Sequence, residues 1–434
     1  MNAPSRRALL SLAAALPAGA ALASCDDAGS GGGGEDARSE VTPLEPGPVS
    51  QAHGALSPFT AALLPAALEA AGTANLVCSP TSALVALTMA GLGAQGTTRS
   101  QMEEVLGAPM DQLAELSTIL RTSLAAIPTQ ERSGEEEDLP DPDSASLASG
   151  VWLAEGLDVR RPYLDDLARY LDAGIRTADF AQEEGREAAR EAMNAFVSEA
   201  TEGMIEDLVP EGALTEATVL ALVNALHLRG AWHAPLTDAG PVTFHAEGGD
   251  VPVPMLAGKA SGWYEDTYAQ ATLLPTADRD LGLVLVRPSA GLPALLQAWT
   301  EDPTILTALL VEVVAGADTV ALTMPVLDLD SRLSLGDVLA GLGMTDAFGD
   351  AADFTGIVGA GGIALSQVLQ KATMVVDEKG MEAAAATAAL VEVTSAQIDP
   401  LTLTLDVPYV ALAISTATLA PLVVALVADP AGQG

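Results

Sequence analysis

The sequence predicts an α+β fold in one large domain. A chain of 434 residues, 49% of them hydrophobic, is long enough to bury a sizeable core. Periodic apolar segments indicate helices and strands around that core, and residues 371–376 are a strand-like stretch. Between residues 56 and 430 no apolar run reaches the roughly 18 uninterrupted residues of a membrane-spanning helix. We therefore expect a globular body.

The first 25 residues have the pattern of an export signal and are excluded from the fold. Arg6 and Arg7 precede an apolar stretch at residues 8–23, which leads into Ser24 and Cys25. The ending Leu-Ala-Ser-Cys resembles the lipidation box of bacterial lipoproteins, which implies that Cys25 carries a lipid anchor. The two arginines are equally typical of a twin-arginine export signal and of an ordinary basic n-region. The expected location is the cell envelope, on its periplasmic or cell-surface side, or outside the cell.

Residues 26–50 are rich in Gly, Pro, Ser and acids and show no periodicity, which predicts a flexible tether. Residues 51–434 are then the single folded domain. Apart from Cys25 the chain has only Cys78, which lies within an apolar helical pattern. We expect Cys78 to be a buried small hydrophobe and the domain to have no disulfide framework.

The net charge of −39 and the pI near 4.1 argue against nucleic acid and against heparin-like polyanions as partners. Like charges repel, and the loss of electrostatic attraction does not depend on the partner's sequence. Membrane contact is expected only through the lipid anchor. The charge also fits two other roles, which are high solubility and adaptation to salt.

The most informative pattern lies at residues 371–387. The strand-like stretch leads into a turn at residues 378–380, and a run of alanines follows at residues 383–386. Small side chains allow a loop to slide between two existing strands, because no bulky group has to force the sheet apart. The alternative is a plain alanine-rich helix, since alanine has the highest helix propensity.

This hinge resembles the reactive-loop hinge of the serpins, a family of serine protease inhibitors, and the resemblance extends from about residue 56 to residue 430. The other matching segments are NLVCSPTSALVALTMAGLGAQGTTRSQMEEVLG (residues 75–107), NAFVSEATEGMIEDLVP (194–210), VLALVNALHLRGAW (219–232), LGMTDAFGDAADFTGI (342–357) and VPYVALAISTATLAPLVVALVADP (407–430). They occur in the order in which the family has them.

The resemblance implies a serpin fold with about three β-sheets, about eight or nine helices and an exposed reactive loop near residues 378–400. In the family, a serine protease cuts this loop and forms an acyl bond to it. Residues 381–394 then insert into the central sheet as a new strand and carry the enzyme with them. The implied hinge residues are Glu378, Gly380, Met381, Glu382, Ala383, Ala384, Ala385, Ala386 and Thr387. The chain is thus expected to be a suicide substrate.

Counting along the loop from Gly380, as in the family, places the scissile bond at Thr394–Ser395, with Val393–Thr394 as the second choice. The side chains before this bond are medium-sized and partly β-branched, and none is Arg or Lys. This composition favours an elastase-like or subtilisin-like target over a trypsin-like one. A cysteine protease is a further expected class of target.

Several residues match the family positions that control opening of the central sheet. The gate residues are Ser79, Ser82, Asn224 and Gln370, and the breach residue is Trp232. Gln370 replaces a histidine that the family usually carries, which keeps the hydrogen bonding but removes pH-dependent gating. Met381 replaces the usual Thr or Ser, and we expect this flexible side chain to slow insertion without preventing it.

Two other functional classes compete with inhibition. A non-inhibitory serpin would act as a binding or structural module, although such relatives typically carry bulky or charged hinge residues. An enzyme would need a site, but the four histidines lack metal-binding spacing, and nucleophile-elbow and phosphate-loop motifs are absent. We expect no metal, no cofactor and no catalytic residue. The expected state is a monomer whose mobile loop can add to a neighbour's sheet and form polymers.

Overall fold

The computed structural model describes residues 37–72, 75–127, 142–381 and 401–432, and all of these belong to one compact unit. Within these ranges there are nine α-helices and fifteen strands. The helices are α1 (Ser57–Ala71), α2 (Pro80–Gly91), α3 (Gly96–Leu106), α4 (Met110–Ala125), α5 (Arg161–Asp166), α6 (Glu183–Ala200), α7 (Leu292–Glu301), α8 (Thr304–Ala315) and α9 (Leu335–Gly341). The strands are β1 (Leu76–Cys78), β2 (Ser144–Ala154), β3 (Ile175–Ala178), β4 (Leu220–Ala231), β5 (Thr237–Ala246), β6 (Gly249–Glu265), β7 (Ala269–Pro275), β8 (Leu281–Pro288), β9 (Thr319–Pro325), β10 (Leu327–Ser334), β11 (Leu365–Val376), β12 (Gly380–Met381), β13 (Leu401–Thr404), β14 (Tyr409–Ser415) and β15 (Pro421–Val427).

The strands form a six-stranded central sheet in the order β10-β11-β12-β4-β2-β3 and a nine-stranded second sheet. The second sheet has the order β1-β15-β14-β8-β7-β6-β9-β13, with β5 paired to β6. Helices together with mixed sheets confirm the predicted α+β class. The described residues form two hydrogen-bonded sheets instead of the expected three, because the 17-residue strand β6 pairs with β5 along its first part and with β7 at its end.

The main core contains residues of both sheets and of the helices. Every residue of β14 and β15 is buried, as their almost uninterrupted apolar sequences require for strands covered on both faces. Helix α2 is also buried throughout. Its start is fixed by Ser79, whose hydroxyl accepts a hydrogen bond from the backbone N–H of Ser82 at 3.2 Å, and by Pro80 at the first helical position. Cys78 is fully buried as predicted, and burial raises the pKa of its thiol to about 12.

Helix α6 covers one face of the central sheet. Met193 and Val197 of α6 belong to the same buried cluster as Trp152 of β2. Phe196 meets the Trp152 ring edge-on at 5.3 Å, and the guanidinium of Arg176 lies 4.4 Å from the Phe196 ring centroid. An additional strand in the central sheet would therefore change these contacts with α6.

The predicted tether of residues 26–50 needs correction at its C-terminal end, because residues 37–50 pack onto the body. Ala37 exchanges two backbone hydrogen bonds with Ile175 of the edge strand β3, at 2.8 and 2.9 Å. The N–H of Leu44 donates to the carbonyl of Arg169, and the hydroxyl of Ser39 donates to Asp165. Gly- and Pro-rich composition did not reveal this packing, because backbone pairing to an edge strand needs no particular side chains.

Within the described residues, one helical segment, Val49–Ala71, is long and apolar enough to cross a membrane by length and composition alone. Its side chains Phe59, Leu63 and Leu64 are 0% exposed and belong to the main hydrophobic core. We therefore interpret the segment as a core helix of the body.

Candidate functional site

Strand β12 lies between β4 and β11 at one end of the central sheet. Gly380 and Met381 pair antiparallel with Ala231 and Gly230 of β4, and Met381 also pairs with Val376 of β11. Toward the other end, β4 and β11 pair directly with each other in parallel. The central sheet is thus parted at one end and closed at the other. We call the parted end the opening.

A tight turn leads into the opening. The carboxylate oxygen Oδ1 of Asp377 accepts hydrogen bonds from the backbone N–H groups of Lys379 at 2.7 Å and Gly380 at 3.0 Å. The backbone N–H of Asp377 also donates to the carbonyl of Gly380. Sequence reasoning assigned no role to Asp377, although an Asp bonding to backbone N–H groups two and three residues further on is a recognised turn signal.

The breach residue Trp232 holds this turn against the body. Its indole Nε1–H donates to the carbonyl of Asp377 at 2.9 Å, and its backbone N–H donates to the carbonyl of Lys379 at 2.7 Å. The N–H of Leu236 donates to the carbonyl of Glu378 at 2.8 Å. Trp232 is 1% exposed, whereas Glu378 and Lys379 of the turn are exposed. The structure therefore places Trp232 and the base of the loop in direct contact.

The gate residues form one buried hydrogen-bond network where β4 and β11 are paired. Gln370 of β11 accepts from the N–H of Ser79 at 2.9 Å and donates to the Ser79 carbonyl at 2.8 Å. Its Nε2 also lies 3.2 Å from both Ser82 Oγ and Asn224 Oδ1. Ser82 donates to Asn224 Oδ1 at 2.8 Å, and Asn224 Nδ2 donates to the carbonyl of Leu369 at 3.3 Å.

This network links the two strands that would have to separate. Asn224 lies on β4 and is the register partner of Gln370 on β11, and both side chains are 0% exposed. Helix α2 contributes Ser82, and its cap residue Ser79 also donates to the carbonyl of Leu422 at 2.6 Å. The gate therefore ties both strands to α2 and to β15 with neutral side chains.

Met381 is already buried in the central sheet, at 1% exposure and within the main hydrophobic core. The sequence had placed this side chain in the exposed loop, as the first to be buried on insertion. The burial of the Met381 side chain therefore precedes any cleavage. The remaining hinge residues (Glu382, Ala383, Ala384, Ala385, Ala386 and Thr387), the bonds at Val393, Thr394 and Ser395, and Cys25 lie outside the described residues.

Asp143 is a buried carboxyl group beside the opening that sequence reasoning did not single out. Its Oδ2 accepts from the Thr276 hydroxyl at 2.5 Å and from the N–H groups of Asp280 and Leu281 at 3.1 Å. Burial is the main reason that the pKa of Asp143 rises to about 6. A β-carbon added to Gly230 would stand 3.0 Å from Asp143 Oδ1, so glycine permits this close approach.

Comparisons with known proteins bear on the family and the fold. The family model described as Serpin (serine protease inhibitor) matches residues 55–430. Alpha-1-antiproteinase S of Cavia porcellus is 29% identical to this chain over 392 residues, which cover 88% of this chain and 92% of that protein.

Two solved structures have a similar fold. The thermophilic serpin Tengpin in its native state has a TM-score of 0.75 at 21% identity, covering 91% of this chain and all of that one. Thyroxine-binding globulin in complex with thyroxine has a TM-score of 0.71 at 21% identity, covering 87% of this chain and 99% of that one. At these identities the structures support the fold alone.

Proposed function

Because the chain belongs to the serpin family, whose members are typically inhibitors and not enzymes, we propose that it traps serine proteases as a suicide substrate. The observation that carries the proposal is β12, which places the start of the loop between β4 and β11. A protease would cut the loop further along and remain attached to it. The cut loop would then continue β12 through the sheet.

The register of β12 indicates the path of this insertion. Gly380 faces Ala231 in antiparallel register, so the same register extended along β4 brings Thr387 opposite Asn224 of the gate. The alanines at residues 383–385 would pass residues 226–228 of β4, which lie between β12 and the gate and are not paired with β11 in the described residues, and Ala386 would meet Ala225, the first paired position. Small hinge side chains would thus fill the parted end before the gate has to open.

The energetic balance favours insertion. Opening the gate breaks the bond from Asn224 to Leu369, the contact between Gln370 and Asn224 and the backbone pairing of β4 with β11 at six register positions, at about 1 kcal/mol each. A new strand of about a dozen residues pairs with both β4 and β11, so after these losses the net gain is still about a dozen backbone hydrogen bonds, or about 10 kcal/mol. The gain is comparable with the stability of a whole domain. The uncut chain would be held in a metastable state by the gate.

For the target we propose an elastase-like or subtilisin-like protease, with a cysteine protease as a further class. The support is the composition of residues 390–394, which are Leu, Val, Glu, Val and Thr. No residue in this stretch supplies the cation that a trypsin-like pocket requires. We place the cut at Thr394–Ser395, with Val393–Thr394 as the second choice.

The test is to mix residues 26–434, which lack the export signal and Cys25, with elastase-like and subtilisin-like proteases and to separate the products on denaturing gels. A covalent band at the summed mass, with a released peptide that begins at Ser395 or one residue before it, is the expected result. Clipping of the loop with full protease activity retained would exclude the trap.

The alternative function is a non-inhibitory binding or structural module. Met381 supports it, because non-inhibitory relatives typically carry bulky hinge residues and this position usually carries Thr or Ser. Thyroxine-binding globulin, which is similar in fold, was solved with thyroxine bound. Clipping without a covalent complex, in the gel experiment above, is the result that this alternative predicts.

We also propose that the protein is held at the cell envelope through a lipid on Cys25. The support is the Leu-Ala-Ser-Cys ending of the apolar stretch. The wild type should incorporate a labelled fatty acid, and the Cys25→Ser variant should not. Equal labelling of the two forms, or no labelling of the wild type, would contradict the anchor.

A further inference from the structure

A cavity of about 800 Å³ lies away from the opening, where four parts of the second-sheet side of the molecule meet. Helices α1 and α7 form two of its walls, held together by the Thr300 hydroxyl, which donates to the carbonyl of Ala61 at 3.0 Å. The turn between β5 and β6 forms a third wall. The residues just before β14 and just after β15 close the fourth side, through Pro408 and Ala428.

The interior of the cavity is mainly apolar. Leu68 of α1 and Leu292 and Leu296 of α7 line it together with the prolines Pro65 and Pro293. Cavities of roughly 300 to 1,000 Å³ with this kind of lining are the usual sites for small organic ligands. The size and lining therefore fit a ligand with an apolar body.

Carboxylates from all four walls surround this apolar interior. They are Glu69 from α1, Glu247 from the β5–β6 turn, Glu301 from α7 and Asp429 after β15, and no Lys or Arg is among the lining residues. Glu301 accepts one hydrogen bond from Gln297 at 2.8 Å, and Asp429 accepts one from the N–H of Ala431 at 3.0 Å. Within the described residues none of the four carboxylates forms an ion pair, so their charges are available to a ligand.

We propose that this cavity binds an organic cation with an apolar body, of the alkylammonium class. The alkyl part lies along Leu68, Leu292 and Leu296, and the ammonium group lies among the carboxylates. Charge complementarity decides this choice, because an anionic amphiphile would be repelled from every wall and a neutral one would gain only the apolar contact. The proposal is independent of protease inhibition, since neither the loop nor the gate takes part in it.

The experiment is a calorimetric titration of residues 26–434, which lack the export signal and Cys25, with n-octylammonium, n-octanol and n-octanoate, which share one alkyl chain. Octylammonium should bind at least about fivefold more tightly than octanol, and octanoate should bind most weakly.

The double variant Glu69→Gln/Glu301→Gln should reduce the preference for octylammonium over octanol to about twofold or less. Gln297 is an exposed lining residue, so Gln297→Trp should fill the cavity without disturbing the fold and should abolish binding of both octylammonium and octanol.

The matched control replaces Glu104 on α3 and Glu199 on α6, which are exposed glutamates outside the cavity lining. The variant Glu104→Gln/Glu199→Gln removes the same charge and should leave the preference unchanged. Equal binding of the three probes would overturn the proposal. So would binding that survives Gln297→Trp, or a control variant that loses as much preference as the cavity variant, since the net charge would then explain the attraction.

Discussion

Asn224→Ala should destabilise the uncut chain much more than the cut chain. In the uncut chain Asn224 accepts from Ser82 and Gln370 and donates to the carbonyl of Leu369 on β11, and its side chain is 0% exposed. Each buried bond is worth about 1 kcal/mol net, so the loss amounts to about 3 kcal/mol. In the cut chain the new strand would already separate β4 from β11, and the bond to Leu369 would no longer be there to lose.

The size of the effect on thermal unfolding follows from the size of the domain. At about 2.1 cal/mol/K per residue, the domain matched at residues 55–430 has an unfolding entropy of about 0.8 kcal/mol/K. A loss of about 3 kcal/mol then lowers the Tm of the uncut chain by about 4 °C. The assay is calorimetry of the wild type and the variant, each before and after cleavage of the loop. A shift of the same size in both forms would refute the role assigned to the gate.

The matched control is Asn194→Ala. Asn194 of α6 is also a buried Asn with three hydrogen bonds, made to the backbone of Leu208 and Val209 at 2.8 to 3.1 Å. None of these bonds joins β4 to β11. Loss of this side chain should therefore lower the Tm of the uncut and cut chains by similar amounts.

Three further predictions concern the opening and the loop. The pKa of Asp143 is raised from 3.8 to about 6, so the folded state binds more protons than the unfolded state between those pH values. The contribution of Asp143 to stability is therefore present at about pH 4 and is lost as the pH rises through about 6, and Asp143→Asn should flatten that part of a Tm–pH profile. A profile unchanged by this variant would assign the slope to other groups. Met381→Thr should lower the stability of the uncut chain by about 1–3 kcal/mol in urea titrations, because a buried side chain is truncated. The number of inhibitor molecules consumed per protease molecule should stay within about twofold of the wild-type number. A large decrease in this number would show that Met381 still impedes insertion. Ala385→Glu would bring a charge into the sheet, so kinetic assays should show a clipped substrate in place of a covalent complex.

The gate illustrates how much of the site the sequence could predict. Ser79 and Gln370 are 291 positions apart, and no local pattern connects them. Only the resemblance of long segments to a known family placed them together, and the structure brings them within hydrogen-bonding distance. The trapping role of the gate stays a prediction, because the scissile bond lies outside the described residues.

Other features depended on three-dimensional contacts that no sequence pattern shows. The pKa of Asp143 is raised because the folded chain buries its carboxyl group, and the hydrogen bonds from Thr276 and Leu281 only partly offset that effect. Met381 is buried before any cleavage because β4 and β11 are already separated beside it. No pattern in the hinge sequence shows that separation. Residues 37–50 look like a tether by composition, yet their backbone pairs with the edge of the central sheet.

Insertion of the loop is tested most directly by hydrogen exchange across residues 381–394 in the chain before and after cleavage. Exchange beyond Met381 should be fast in the uncut chain. After cleavage the amides of residues 382–394 should be strongly protected from exchange. The amides of β4 and β11 should be at least as protected as they are before cleavage, and the Tm should rise. Fast exchange of residues 382–394 after cleavage, with an unchanged Tm, would contradict the conclusion that β4 and β11 separate to admit the loop as a new strand.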